Sequence, residues 1–376
     1  MRLGAGLDSM KWLAPIATRW QIVAPHRRTR SKRKRREPAM EHIAIDVGGR
    51  ESQICVRRGD GTIVEERRCA TGALKSYLGR RAKGRVILET CAEGFAIADA
   101  ALGHGHEVRV VPATLVRSLG VGRRGVKTDR LDAQVLSEVS CRIDLPSVHV
   151  PSPEARQRKS MCGMREILVG SRTRLVNSVR GWLRTQGKRP RTGAVRTFPR
   201  RVRAVYAHEP ATVVPNFVER QLVTIEQLTA QIIAAGAEVA ELARTDATCR
   251  RLMSVPGVGP VTAVRFVAAL DQVDRFPNAH AVESYLGLVP GEHSSSDHRR
   301  RTTITKAGSP QLRWTLVQAA LCARRRRKDD PMVAWSYQVE LRRGRHIATI
   351  ALARKLAGIL YALWRDGSTY DPKHHA

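Results

Sequence analysis

The segment His42-Ile43-Ala44-Ile45-Asp46-Val47 decides the fold of the first half of this chain. It is a short apolar run that ends in an acid, and Arg85-Val86-Ile87-Leu88-Glu89 repeats that pattern later in the sequence. Between the two runs, Asp60-Gly61 separates the strand-like stretches 53–57 and 62–64, which is typical of a hairpin. The first three runs along the chain are therefore predicted to form an antiparallel meander.

Helices and strands alternate after this meander. Residues 73–82 and 95–103 have helical patterns on either side of the run at 85–89, and residues 107–111 form a fifth apolar run. This order predicts a mixed α/β sheet with helices packed on it. A further helix is predicted to begin near Lys127, because apolar residues recur there at helical spacing.

The middle of the chain is basic and helical in composition. Residues 155–186 and 214–242 form two long helical patterns, the second near a coiled-coil spacing, and the loop-like stretch 187–193 separates them. We predict a helical hairpin that links the sheet domain to a mainly α-helical C-terminal domain. Within that last domain, apolar helices flank Pro256-Gly257-Val258-Gly259, which resembles a helix-hairpin-helix turn.

Four regions are expected from these patterns: a basic, disordered extension (1–39), an α/β domain (40–150), a helical linker (151–245) and a C-terminal domain (246–372). The extension ends in a dense basic run at 27–36. This run is compatible with a nucleic-acid-binding arm, and it is equally compatible with translation that begins at Met40.

The composition points to a polyanionic partner. The 376 residues include 66 Lys+Arg against 34 Asp+Glu, for a net charge of +32, while 42% of them are hydrophobic. These values exclude a disordered chain, a collagen-like chain and a small disulfide scaffold, and they favour nucleic acid as the partner. A basic ribosomal-type structural protein has the same composition. No uncharged apolar run approaches the ~20 residues of a membrane span. Seven scattered cysteines without a C-x-x-C pair indicate a reduced, cytoplasmic setting.

Four acids form the candidate metal site. Asp46 and Glu89 end two runs that would be neighbouring strands, and Asp129 and Asp132 stand three residues apart on the helix near Lys127. Clustered carboxylates repel one another unless cations neutralise them, and hard oxygen ligands suit Mg²⁺ or Mn²⁺. Each acid alone would be read as a strand cap or an arginine partner. The four together predict a site for two-metal phosphoryl transfer.

Two further segments are candidate phosphate contacts. Gly257 and Gly259 would let backbone N–H groups approach a phosphate at the start of the next helix. Downstream, a polar loop contains Ser294, Ser295 and Ser296, and cations follow it at Arg299, Arg300, Arg301 and Lys306. A serine hydroxyl can attack phosphorus where cations hold the phosphate, although such a loop taken alone is usually a flexible connection.

These features in this order resemble the bacterial insertion-sequence transposases of the group numbered one hundred and ten and the related Piv-type DNA invertases. The resemblance runs from about Met40 to Pro372. It rests on an ordered set of short pieces: Ile45-Asp46-Val47-Gly48, Glu89-Thr90-Cys91, Lys127-Thr128-Asp129-Arg130-Leu131-Asp132-Ala133, Pro256-Gly257-Val258-Gly259, Tyr285-Leu286-Gly287-Leu288-Val289-Pro290, Ser294-Ser295 and Ile304-Thr305-Lys306-Ala307-Gly308.

The resemblance implies a RuvC-like DEDD domain of RNase H fold followed by a transposase domain. It implies that a serine becomes covalently linked to DNA beside Mg²⁺ held by the four acids, and that a structured non-coding RNA guides the reaction. Ser295 has the spacing of the family's serine, but Ser296 stands where the family has glycine, so Ser294 and Ser296 stay open as nucleophiles. Exchange of two strands in a duplex implies at least a dimer. The family's usual start favours Met40 as the native start or a dispensable extension.

Three hypotheses follow for the activity. The first is a transposase with a serine nucleophile and Mg²⁺ that acts on double-stranded DNA in the bacterial cytoplasm, associated with the nucleoid. The second is a RuvC-like nuclease that hydrolyses branched DNA with water. The third is a decayed transposase that binds nucleic acid without catalysis.

Overall fold

The two acid-terminated runs are neighbouring strands of one sheet in the computed structural model of this chain, which describes residues 40–118, 129–207, 213–295 and 298–374. Within those ranges, the side chains of residues 117–118, 129, 293–295 and 298–301 are not described. The chain divides into two units, Met1–Pro151 and Ser152–Ala376. Each unit has its own hydrophobic core.

The first unit is built on a mixed five-stranded sheet. Its strands are β1 (His42–Asp46), β2 (Glu51–Arg57), β3 (Ile63–Ala70), β4 (Arg85–Glu89) and β5 (Glu107–Val111). Their order is β3-β2-β1-β4-β5. The first three strands pair antiparallel, while β4 runs parallel to β1 and β5 runs parallel to β4. The predictions of an antiparallel meander and of a mixed sheet are confirmed.

Four helices accompany this sheet in the described part of the first unit: α1 (Leu74–Gly79), α2 (Gly94–Gly103), α3 (Ala113–Ser118) and α4 (Asp129–Arg142). Successive strand residues point to opposite faces, so the apolar strands are buried on both sides. Ile43 and Leu88 pack in one core with Leu74 of α1. On the other face, Ala44 and Ile87 pack with Leu136 of α4.

The second unit is mainly helical. Its elements are α5 (Pro153–Thr185), α6 (Phe198–Ala207), α7 (Asn216–Thr245), α8 (Ala247–Leu252), α9 (Pro260–Leu270), α10 (Ala279–Tyr285), β6 (Pro290–Ser295), β7 (His298–Ile304), α11 (Pro310–Arg326), α12 (Pro331–Arg343) and α13 (Arg345–Asp366). The long helices α5 and α7 pack against each other. Ser152 caps α5 by accepting a hydrogen bond from the Ala155 N–H at 3.1 Å, and Pro153 begins the helix.

A separate small core lies where the end of α5, the helix α6 and the beginning of α7 meet. Leu183, Phe198 and Leu222 are fully buried there. Helix α6 was not predicted from the sequence, which indicated only a loop after residue 186. We call this part of the chain, residues 172–225, the cationic lobe, because every charged residue from 167 to 208 is Arg or Lys.

Among the described helices, α13 is long and apolar enough to cross a membrane by length and composition. However, 56% of its apolar window is buried inside the second unit. Leu352, Leu356 and Leu360 are fully buried in the main core of that unit. This pattern is typical of the central helix of a globular core.

Candidate active site

Two of the four predicted acids lie side by side at one edge of the sheet. The parallel register between β1 and β4 pairs Ile45 with Leu88, and Asp46 and Glu89 are the next residue on each strand. Neighbouring strands are about 4.8 Å apart, so the two acids end adjacent strands at the same edge. The sequence prediction that these strands are neighbours is confirmed.

Asp46 and Glu89 also share a face of the sheet with α4. Each acid follows by two residues a side chain, Ala44 or Ile87, that packs against Leu136 of α4. Asp132 is buried, with 4% of its surface exposed, and it precedes Leu136 by one helical turn. Three of the four predicted acids therefore belong to the layer between the sheet and α4.

Asp129 is the first residue of α4, three residues before Asp132, and its side chain is not described. Among the side chains that the structure describes, no three His, Cys, Asp or Glu residues are gathered closely enough to hold a metal ion. The carboxylate oxygens have the donor chemistry of a Mg²⁺ or Mn²⁺ site. The chemistry of this donor set fits such a cation.

Polar contacts fix α4 on the sheet. The Ser140 hydroxyl lies 2.7 Å from Nδ1 of His42 on β1, and Arg57 on β2 donates from Nε to the Ser137 hydroxyl at 3.0 Å. Burial, together with the nearby Arg85 guanidinium, lowers the pKa of His42. The imidazole is therefore neutral at pH 7, in keeping with its buried position.

Glu66 anchors the first turn of α4, which contains Asp129 and Asp132. This β3 carboxylate accepts hydrogen bonds from Nε of Arg130 at 3.1 Å and from the side-chain amide of Gln134. These contacts lower the pKa of Glu66, and the hydrogen bond from Gln134 has the largest effect. The sequence analysis missed Glu66. Only the pairing of β3 with β2, next to β1, brings it beside α4.

The predicted serine loop is a β-hairpin. Ser294 and Ser295 belong to β6, where Ser294 pairs with Arg299 and Ser295 with His298 of β7. Ser296 lies outside the described residues. A strand rises about 3.4 Å per residue, so Ser295 is about 17 Å along β6 from Pro290. The hairpin thus positions the candidate nucleophile at its far end, with Arg299, Arg300 and Arg301 on the paired strand.

The base of this hairpin is held by two segments in tight contact. Gly287 has φ +68° and Gly308 has φ +67°. A Cβ on Gly287 would lie 2.3 Å from Ala307 N, and one on Gly308 would lie 2.2 Å from the Tyr285 carbonyl oxygen. The Thr305 N–H donates to the Val289 carbonyl at 2.9 Å. Only glycine permits both the backbone conformation and the close approach at these two positions.

Lys306 lies in the same tight segment. Its backbone has φ +56°, which is uncommon outside glycine, and its N–H donates to the Gly287 carbonyl at 3.1 Å. Its side chain is exposed. The backbone of Lys306 is thus fixed at the base of the serine hairpin, and its exposed side chain places a cation there.

The two predicted phosphate-binding glycines have different surroundings. Gly257 has φ +84°, and a Cβ on it would lie 2.2 Å from the Ala319 carbonyl oxygen of α11. Gly259 faces open space at the start of α9. The structure therefore gives Gly257 a packing role between helices. A phosphate contact at either glycine stays a prediction, and Gly259 has the open surroundings that such a contact needs.

Comparison with known proteins finds family matches in both the N-terminal and the C-terminal half of the chain. A model for DEDD transposase domains of the IS110 type matches residues 43–186, and the model described as the transposase IS116/IS110/IS902 family matches residues 249–334. The chain is 30% identical to a probable family 20 transposase of Pseudomonas aeruginosa, over 89% of the chain and 99% of the relative. It is 27% identical to the transposase for insertion sequence element IS1111A of Coxiella burnetii, over 93% and 96% respectively.

Proposed function

The chain belongs to the IS116/IS110/IS902 family of insertion-sequence transposases, which cut and rejoin DNA, and we propose that it does so through Ser295 as nucleophile with the help of a carboxylate-bound Mg²⁺. The DEDD match implies a RuvC-like fold, with which the five-stranded mixed sheet agrees. It also suggests dependence on a divalent metal. The observation that carries the proposal is the shared face of Asp46, Glu89 and the buried Asp132.

The proposed reaction has two transfers. In the first, the Ser295 Oγ loses its proton and forms a bond to the scissile phosphorus, while the bond from phosphorus to the 3′ oxygen breaks and that oxygen takes up a proton. In the second, the 3′ hydroxyl of a partner strand attacks the phosphoserine, and the serine oxygen leaves and is reprotonated. Each phosphodiester bond that breaks is replaced by another, so the exchange needs no nucleotide hydrolysis.

The chain's own groups bind and orient this phosphate. Arg299, Arg300 and Arg301 on β7 supply cations close to Ser295 in sequence and in backbone register, and Lys306 supplies a further cation at the base of the hairpin. A Mg²⁺ or Mn²⁺ ion held by Asp46, Glu89, Asp129 and Asp132 would supply Lewis-acid stabilisation of the charge that develops on the phosphate. Glu66 serves as a positioning residue, because it holds the helical turn that contains two of these acids.

We further propose that the cationic lobe holds a structured guide RNA. Its arginines sit on a small rigid core: Arg180 lies 5.2 Å and Arg201 5.8 Å from the centre of the Phe198 ring. Arg201 also donates to the carbonyls of Gly193 and Ala194, at 3.2 and 2.9 Å, which fixes the connection before α6. A fixed, predominantly positive surface favours a folded polyanion.

The remaining assignments are part of the same proposal. Regions 40–150, 151–245 and 246–372 act as catalytic RuvC-like domain, helical linker and serine domain, and residues 1–39 lie outside the described residues. The exchange of two duplex strands requires at least two copies of the chain. We expect the enzyme to act in the bacterial cytoplasm on nucleoid DNA.

The test is a denaturing gel that detects a covalent protein–DNA adduct. Full-length protein co-expressed with the flanking RNA would be incubated with Mg²⁺ and DNA that carries the joined element ends. We expect an adduct with the wild type and with Ser294→Ala, and none with Ser295→Ala or Asp46→Asn. Retention of nucleic-acid binding by the two inactive variants would show that chemistry alone is lost.

Other outcomes would select the alternative activities. Cleavage without an adduct, unchanged by Ser295→Ala, would support hydrolysis by water. Loss of the adduct with Ser294→Ala, and its retention with Ser295→Ala, would identify Ser294 as the nucleophile. Binding without any reaction in the presence of the RNA would support a decayed, non-catalytic protein.

A further inference from the structure

Trp314 is the most exposed tryptophan in the described part of the chain. It lies on α11 with 57% of its surface accessible to solvent. The other described tryptophans contact neighbouring groups: Trp182 stacks with Tyr206, Trp364 lies against Phe266, and Trp335 is covered by the Lys355 ammonium at 4.9 Å. An exposed indole on a rigid helix presents a large, flat apolar surface that a ligand could bury.

The exposed face of α11 around Trp314 is polar, and no residue of α11 is acidic. Gln311 precedes the tryptophan by three residues and Gln318 follows it by four, so the two exposed amides flank the indole on one helical face. Arg325, also exposed, follows by eleven residues on the same side, about 16 Å along the axis. The face therefore combines a flat aromatic surface, hydrogen-bonding amides and a cation.

Trp314 is also adjacent to the base of the serine hairpin. Its neighbour Arg313 donates from Nη1 to the carbonyls of Leu286, at 3.2 Å, and Ala307. Lys306, the residue before Ala307, is exposed. A ligand lying along α11 would thus meet Lys306 near one end and Arg325 towards the other, with the indole between them. This spacing of cations around an aromatic side chain is complementary to a nucleic-acid strand.

We propose that Trp314 is a stacking platform for an unpaired base of the DNA strand undergoing exchange. Both faces of a base inside a duplex are covered by its neighbours, so a free indole selects nucleotides that have left the stack. The proposal rests on the proposed strand exchange, which must unpair bases near the hairpin. Gln311 and Gln318 can hydrogen-bond the edge of the stacked base, and the cations contact the flanking phosphates.

The first test compares affinities for a short single-stranded DNA and for the same sequence as a duplex. Stacking contributes ~1–3 kcal/mol per base, so Trp314→Ala should weaken single-strand binding about 5-fold to 150-fold. Duplex binding should change less than twofold. Trp314→Phe should keep most of the affinity, because it retains an aromatic face. Trp335→Ala is the matched control: it removes an indole already covered by Lys355 and should leave single-strand binding unchanged.

The salt dependence and an abasic substrate separate stacking from charge. Trp314→Ala should lower the affinity at every salt concentration without changing the slope of log K against log salt, whereas Arg325→Gln should reduce that slope. Removing single bases along the strand should reveal one position where the wild type loses affinity and Trp314→Ala does not. That position would be the stacked nucleotide.

Several results would overturn the inference. Equal losses on single strand and duplex would remove the stacking role, as would a loss confined to single-stranded RNA, since the proposal commits to DNA. A change in oligomeric state with Trp314→Ala and unchanged DNA affinity would make this face a protein interface. The binding assay measures affinity and not strand cleavage, so it can be interpreted even if the Ser295 adduct experiment fails. Conversely, a negative result for Trp314 would not contradict the serine mechanism.

Discussion

Arg313 donates a hydrogen bond to the carbonyl oxygen of Leu286 at 3.2 Å, and this contact joins α11 to the base of the serine hairpin. The same guanidinium donates to the Ala307 carbonyl, in the segment that follows β7. Both ends of the hairpin are therefore tied to one side chain. Arg313 is half-buried, and this burial lowers the pKa of its guanidinium.

Arg313→Gln should therefore destabilise the protein. Two buried carbonyls lose a charged donor, and hydrogen bonds to charged groups are worth ~1.5–3 kcal/mol each before relaxation, so we expect a loss of about 2 kcal/mol in urea unfolding. Arg325→Gln, at an exposed position of the same helix, is the control and should change stability by less than about 0.5 kcal/mol. Equal stabilities for the two variants would contradict this bracing role.

The glycines of the turn between α8 and α9 offer a matched pair. Gly257→Ala places a Cβ 2.2 Å from the Ala319 carbonyl and keeps a positive φ, so it should destabilise by more than about 2 kcal/mol. Gly259→Ala enters open space and should unfold like the wild type. If Gly259 contacts phosphate, the same variant should weaken duplex DNA binding, measured by fluorescence anisotropy. Wild-type stability of Gly257→Ala would refute the packing role.

His42 should make the stability of the protein depend on pH near neutrality. Burial, with Arg85 nearby, holds its folded-state pKa below the value of about 6.5 expected in the unfolded chain. Between these two values the unfolded state binds more protons, so the free energy of unfolding should fall as the pH drops below about 6.5 and level off below the folded pKa. Above pH 7, the imidazole is neutral in both states and this contribution is complete.

The variant His42→Gln isolates this effect. It should be less stable at pH 7.5, because it alters the contact with Ser140, and its stability should fall less steeply between pH 7 and pH 5.5. His280→Gln, at an exposed position, should keep the wild-type profile. The measurement is the urea midpoint of each variant between pH 7.5 and pH 5.5. A pH profile that His42→Gln leaves unchanged would show that His42 does not cause the loss of stability at low pH.

Glu66→Gln should reduce strand transfer more than it reduces stability. The amide keeps the size of the side chain but weakens the contacts to Arg130 and Gln134 that hold the first turn of α4. We expect about a tenfold loss of adduct formation, partly recovered at high Mg²⁺, because misplaced acids bind the ion more weakly. Glu138→Gln, which affects only an exposed pair with Arg142, is the control. Activity equal to that of the wild type would remove Glu66 from the site.

The strands of the sheet could be predicted from sequence because each of them is indicated by residues that are consecutive in the chain. The runs at β1 and β4 are apolar over consecutive residues, as buried strands require, and the acids that end them come to one edge through parallel pairing. Placing Asp46 beside Glu89 required one further, non-local step, the pairing of β1 with β4, and the strand order confirms that pairing.

The serine hairpin and α6 could not be predicted in the same way. Strands β6 and β7 are serine- and arginine-rich without alternating apolar residues, and contacts at the base such as Thr305 to Val289 hold them. In α6, Phe198, Val202 and Tyr206 recur at helical spacing, but arginines separate them and the buried surface comes from α5 and α7. The hairpin and α6 are stabilised by contacts with residues distant in sequence, and a local sequence pattern does not reveal those contacts.

The predominantly positive charge of the cationic lobe links the lifetime of the protein to its ligand. Like charges held on one small core repel each other, so this repulsion destabilises the folded lobe when no polyanion is bound. Any nucleic acid that binds the folded form relieves this repulsion and shifts the folding equilibrium towards the native state. Copies without nucleic acid would open more often and be degraded sooner, so the supply of cognate nucleic acid would itself limit how much enzyme persists in the cell.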